Sequence, residues 1–96
     1  MKPSAALAIN REAVRAAVSR RKAANPRVFG SVLRGEDKEG SDIDILEDAL
    51  PGATLLDLGG LMMDLQDILG VRVDLMTPQE LPKRIRAKVI AEAAPI

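Results

Sequence analysis

The hydrophobic pattern divides the chain into six elements. Residues 4–24 contain no glycine or proline, and Leu7, Val14 and Val18 recur at helical spacing. This predicts an amphipathic helix with Ser4 as its N-cap, ended by Asn25-Pro26 because a residue before proline avoids the helical region. Arg-Val-Phe-Gly at 27–30 reads as a short buried strand, and 31–40 as a turn or single helical turn followed by a loop. Residues 41–47 begin with strict polar/apolar alternation, the period of a second strand. After a Pro51-Gly52 turn, Leu58, Leu61, Met62, Leu65, Ile68 and Leu69 form one stripe over 54–69, opposite Asp57, Asp64 and Asp67. Thr54 and Gly70 are the expected caps. Gly59-Gly60 interrupts this helix, which implies a close neighbour or a later start. Residues 71–76 form a third strand, with Val71, Val73 and Leu75 on one side and Arg72, Asp74 and Met76 on the other. Thr77 to Glu80 reads as a capping box, followed by a helix over about 83–93 whose inner face is Ile85, Val89 and Ala93. The order helix, strand, strand, helix, strand, helix predicts a small α/β domain, residues 1–96, with helices covering a short twisted sheet.

Composition narrows the chemistry. The 96 residues include no cysteine and no histidine, and Phe29 is the only aromatic. These counts exclude disulfides, thiol nucleophiles, imidazole catalysis and Cys/His metal sites. A surface that stacks bases on aromatic rings is excluded as well. Carboxylates, hydroxyls, backbone amides, Lys and Arg remain. No apolar run approaches the roughly 18 residues of a membrane helix. With no targeting segment visible, a cytoplasmic location away from membranes is expected.

The formal net charge is zero, yet it is unevenly distributed. Residues 1–30 carry +6, residues 31–80 carry −9 and residues 81–96 carry +3. An acidic centre between basic ends is either a cation site or a set of solvated faces. The basic ends read as solvated helix faces or a surface for an acidic partner, and direct nucleic-acid binding is not expected.

Three features meet in the acidic centre. Gly30-Ser31 follows a strand and opens a turn, where backbone amides and a hydroxyl can receive phosphate. Asp42 and Asp44 are two apart on a strand, so both carboxylates point to one face. Asp74 joins them if the strand over 71–76 lies beside that over 41–47. Each feature alone is ordinary: a structural turn, a solvated edge strand, an exposed strand acid. Three carboxylates without imidazole or thiolate suit Mg²⁺ or Mn²⁺, which keep open positions for water and phosphate oxygens.

Gly-Ser, ten intervening residues and Asp-x-Asp, here Gly30-Ser31 and Asp42-Ile43-Asp44, resembles the signature of nucleotidyltransferases of the DNA polymerase β superfamily. Phe29-Gly30-Ser31, Arg34-Gly35-Glu36, Ser41 to Ile45, Val73-Asp74-Leu75 and the closing Ile85–Ile96 resemble the minimal nucleotidyltransferases, MNT antitoxins paired with HEPN toxins. The resemblance implies a short mixed sheet of about three strands backed by helices. It implies catalysis and metal binding at Asp42, Asp44 and Asp74, and nucleotide binding at Gly30, Ser31, Arg34 and Ser41. Val32-Leu33 stand where many relatives have a basic residue after Gly-Ser, which leaves Arg34 as the nearest triphosphate contact. The implied reaction moves AMP from ATP, with Mg²⁺ or Mn²⁺, onto a tyrosine of a HEPN ribonuclease toxin in a hetero-oligomer. The alternatives are a non-catalytic antitoxin that acts by contact, or a nucleotidyltransferase with another acceptor.

Overall fold

The computed structural model describes residues 1–96. Helix α1 spans Pro3–Arg20, β1 Ala23–Phe29, α2 Gly30–Arg34, β2 Ile43–Ala49, α3 Leu55–Leu69, β3 Val73–Met76, α4 Lys83–Glu92 and β4 Ala94–Pro95. A 3₁₀ turn at Pro78–Glu80 precedes α4. The sheet runs β3-β2-β1-β4. β2 pairs antiparallel with β1 and parallel with β3, while β4 pairs antiparallel with β1. The sheet is therefore mixed, with four strands rather than about three. The fourth is only Ala94–Pro95, too short to show a period in sequence. Its position is fixed by the Ile96 N–H donating to the Pro26 carbonyl and by burial of the Ile96 side chain.

One face of the sheet carries the core. Val28, Ile43, Ile45 and Val73 point to the same side and meet Leu7, Val14 and Val18 of α1 and Leu61, Leu65 and Leu69 of α3. The period of two along each strand sends Asp44 and Asp74 to the opposite face. β3 and β4 lie at opposite edges, so the 3₁₀ turn and α4 span the sheet between them. Leu46, directed away from the α1/α3 core, and Leu81 are also buried. No helix is long and apolar enough to cross a membrane.

Three local expectations change. Helix α1 stops at Arg20, before Asn25-Pro26, because Lys22 and Asn25 take left-handed φ values of 56° and the intervening residues begin β1. Pro26 is tolerated inside this strand because the register shifts between Ala24 and Arg27, where a missing N–H breaks no ladder bond. Ser4 is not the N-cap; α1 begins at Pro3, and the buried Asp37 carboxylate accepts the Ser4 N–H at 2.8 Å. That bond holds the Asp37 carboxyl below its usual range and ties the loop before β2 to the start of α1. Finally, Ile85, Val89 and Ala93 are only half-buried, and α4 has no buried residue. The caps of α3 are as expected: Thr54 and Asp57 form a capping box, and Gly70 is left-handed at φ 68°.

Candidate active site

The site is built where α2, β2 and β3 meet. Gly30 opens α2 immediately after β1, with φ +75°. A Cβ built there would fall inside the Asp44 carboxylate, so only glycine fits both the backbone and the space. The close approach brings the Gly30-Ser31 turn against Asp44. The first amides of α2 have no partners within the helix and can serve an anion.

Asp44 and Asp74 are direct register partners in the parallel β2/β3 pair. The condition set by the sequence, that the third acid lie on a neighbouring strand, is therefore met. Burial pushes the Asp44 carboxyl up to about 6, and the negative charges of Asp74 and then Asp42 push in the same direction. Arg34 opposes them, but its guanidinium is already paired with Glu36, and Glu92 also lies in its field. Asp42 precedes the first residue of β2 and acts on Asp44 through its charge. No three acidic side chains are gathered into a ready-made cage. The carboxylates present are hard oxygen donors, crowded, and short of cationic partners. That donor set fits a hard divalent cation, with Asp42, Asp44 and Asp74 as the available ligands.

The remaining predicted residues are placed as follows. Ser31 is half-buried in the first turn of α2. Arg34 is exposed at the end of α2, within the field of Asp44. Ser41 lies in the loop before β2, where its hydroxyl accepts the Lys38 N–H at 2.9 Å and closes a local turn. A fourth carboxylate belongs to none of the sequence motifs. Glu47, on β2, is 0% exposed, and neither carboxylate oxygen has a hydrogen-bond partner. Burial pushes it up to about 7, helped by Asp48 and Glu80 and opposed by Arg27. The signal was available, since the alternation that puts Ile43 and Ile45 inside also puts Glu47 inside.

Comparison with known proteins agrees with this geometry. The nucleotidyltransferase domain family matches residues 11–96. The Thermococcus cleftensis protein adenylyltransferase MntA is 45% identical over 65 residues, covering 68% of this chain and 66% of the relative. A Methanocaldococcus jannaschii protein, provisionally named a protein adenylyltransferase, is 39% identical over 69 residues, covering 72% and 74%. A solved structure provisionally described as a minimal nucleotidyltransferase superposes with a TM-score of 0.87 at 44% identity, covering 100% of this chain and 97% of that one. A second, described as a toxin-antitoxin with AMP-PNP, shares the fold at TM-score 0.74 and 22% identity, covering 90% and 71%. With its Gly-Ser turn set against an Asp44/Asp74 pair, the chain belongs to the nucleotidyltransferase domain family.

Proposed function

We propose that residues 1–96 act as one minimal nucleotidyltransferase domain, a cytoplasmic antitoxin that transfers AMP from ATP to a tyrosine hydroxyl of a cognate HEPN ribonuclease toxin. The observation that carries this reading is the meeting of Gly30, Asp44 and Asp74 on one sheet face. The kinship with protein adenylyltransferases supports the group transferred. The fold shared with a toxin-antitoxin structure containing AMP-PNP supports the setting. In this reading the toxin presents the acceptor hydroxyl, in a hetero-oligomer.

Each residue has a role in this scheme. The Gly30-Ser31 turn receives the triphosphate through backbone N–H groups and the Ser31 hydroxyl. Arg34 contacts the phosphates after exchanging its Glu36 partner, and Ser41 keeps the loop before β2 in position. Asp42, Asp44 and Asp74 would hold Mg²⁺ or Mn²⁺, which would neutralise triphosphate charge and favour the ionised acceptor. Asp74 takes the phenolic proton. The phenol oxygen forms a bond to the α-phosphorus, the α–β bridging bond breaks, and pyrophosphate leaves with the electron pair. Positioning and charge neutralisation supply most of the acceleration.

The test is intact-mass measurement of the toxin after incubation with this protein, ATP and Mg²⁺. The expected result is a mass gain of whole AMP units and loss of ribonuclease activity. The Asp42→Asn/Asp44→Asn double variant should fold and bind the toxin but transfer nothing. Undiminished transfer by that variant overturns the mechanism. Inhibition by the unaltered protein without a mass change identifies an antitoxin that acts by contact.

A further inference from the structure

The three candidate ligands are not held alike. Asp44 and Asp74 sit inside strands and face each other across a formed parallel ladder. Asp42 stands outside it, as the last residue of the loop before β2. On its C-terminal side the chain is fixed at once, because the Ile43 N–H donates to the Arg72 carbonyl at 2.9 Å. On its N-terminal side lie residues 36–41, which belong to no helix or strand.

That loop is locked in two halves. The Glu36 N–H donates to the Ser31 carbonyl at 2.9 Å, which joins the first half to the Gly30-Ser31 turn. In the second half, the Ser41 N–H donates to the Lys38 carbonyl at 3.0 Å and the Lys38 N–H to the Ser41 hydroxyl at 2.9 Å. Asp42 follows directly. Asp37 lies between the halves. It is 6% exposed, and its carboxylate accepts the Ser4 N–H at 2.8 Å, from 33 positions away in the chain. The other hydrogen bonds of residues 36–41 are local. The Met1 amine reaches Glu39 at 3.2 Å, but both groups are more than half exposed and such a pair holds little.

The anchor itself is firm. Pro3, Ala6 and Leu7 are buried, so the start of α1 is part of the core. It also lacks a cap of its own, since Lys2 at the N-cap makes no side-chain bond and the first turn holds no acid. The Ser4 N–H would otherwise be an orphan donor of the helix start. Asp37 supplies the missing acceptor and negative charge from the loop. One bond therefore completes the helix and pins the loop. The helix could be served by any cap at Lys2, whereas only a group on the loop can also fix the loop.

We propose, on the reading of Asp42 as a ligand of the divalent cation, that Asp37 is a positioning residue: docked on the start of α1, it sets where the Asp42 carboxylate stands relative to Asp44 and Asp74. It acts through the turn at 38–41 and not by contact with the cation. A displacement of about 1 Å near a reacting centre can cost roughly 100-fold in rate.

Two substitutions separate the two effects of the bond. Asp37→Ala removes both, and Lys2→Asp returns one, because aspartate at the N-cap serves α1 without touching the loop. Asp37→Ala should lower the melting midpoint and speed hydrogen exchange at the Glu36, Lys38 and Ser41 amides. It should also weaken Mn²⁺ binding, read from the signal of the free ion, by about tenfold or more. The Lys2→Asp/Asp37→Ala double variant should regain the midpoint but neither the slow exchange nor the Mn²⁺ affinity. Asp37→Asn keeps an acceptor for the Ser4 N–H and should recover most of both. Hydrogen exchange needs neither metal nor toxin, so it reads the docking of the loop whatever the acceptor of AMP proves to be. Unchanged exchange and Mn²⁺ affinity in Asp37→Ala, or their recovery together with the midpoint in the double variant, overturns the proposal alone. An unaltered chain that binds no Mn²⁺ overturns it together with the proposed site.

Discussion

Glu47 shows how much one residue can cost a small domain. It lies on the central strand, fully buried, with both oxygens unpartnered, and its carboxyl is pushed up to about 7 from an ordinary 4.5. The ionised form is therefore disfavoured in the folded state, which binds more protons than the unfolded chain. Glu47's contribution is complete below about pH 4.5 and is lost as pH rises to about 7. The loss is on the order of 3 kcal/mol for a shift of this size. Asp44, pushed up to about 6, acts in the same direction over a lower window. Urea unfolding should thus show stability falling from about pH 4 to pH 7. Glu47→Leu should remove its share between about pH 4.5 and 7, including all of the slope above pH 6, and raise stability at pH 8, while Asp44→Asn should remove only its own share between about pH 4 and 6. A slope above pH 6 that survives Glu47→Leu would place the titration elsewhere.

At the scale of elements, the two glycines of α3 make opposite demands. Gly59→Ala meets open space, so it should stabilise the fold by about 1 kcal/mol through helix propensity. Gly60→Ala must displace the Arg21 side chain and disturb its 2.9 Å bond to Asp64, so its gain should be smaller or absent. Thermal melts of the two variants in parallel decide this. The edge of the sheet gives a second test: Ile96→Ala should cost about 2–3 kcal/mol, because it truncates a buried side chain that anchors β4. The same elements show what the sequence could reveal. The α3 stripe with its caps, the alternation in β2 and the faces of β3 were legible because period and capping act locally. The bulge at Asn25-Pro26, the two-residue β4 and the Asp37 bond to the start of α1 were not. Each depends on a partner far away along the chain, and neither period nor propensity records such a partner. The site was legible to the extent that strand alternation fixes a face; the pairing of Asp44 with Asp74 needed the strand order.

On the whole-molecule scale, the candidate site joins three segments distant in sequence: the turn at Gly30, the start of β2 and the middle of β3. The segment that supplies most of it, residues 31–80, carries a charge of −9. Arg34, the one cation acting against this charge at Asp44, is shared with Glu36. A divalent cation bound there would relieve repulsion in the folded state alone, since unfolding scatters the carboxylates. Mg²⁺ or Mn²⁺ should therefore raise the unfolding midpoint of the entire chain, by about 2.7 kcal/mol at one hundred times the dissociation constant. For a domain of this size that is a rise of roughly 10 °C or more. The effect should vanish in Asp44→Asn. It should also weaken below pH 6, where protons compete for the Asp44 carboxylate that the cation needs. Ca²⁺ and high NaCl separate a bound ion from general screening. Screening by NaCl would act on the scattered surface acids as well and would survive Asp44→Asn, whereas a specific site would not. A midpoint that rises equally in the unaltered protein and in Asp44→Asn would mean that the acidic centre is only a solvated face.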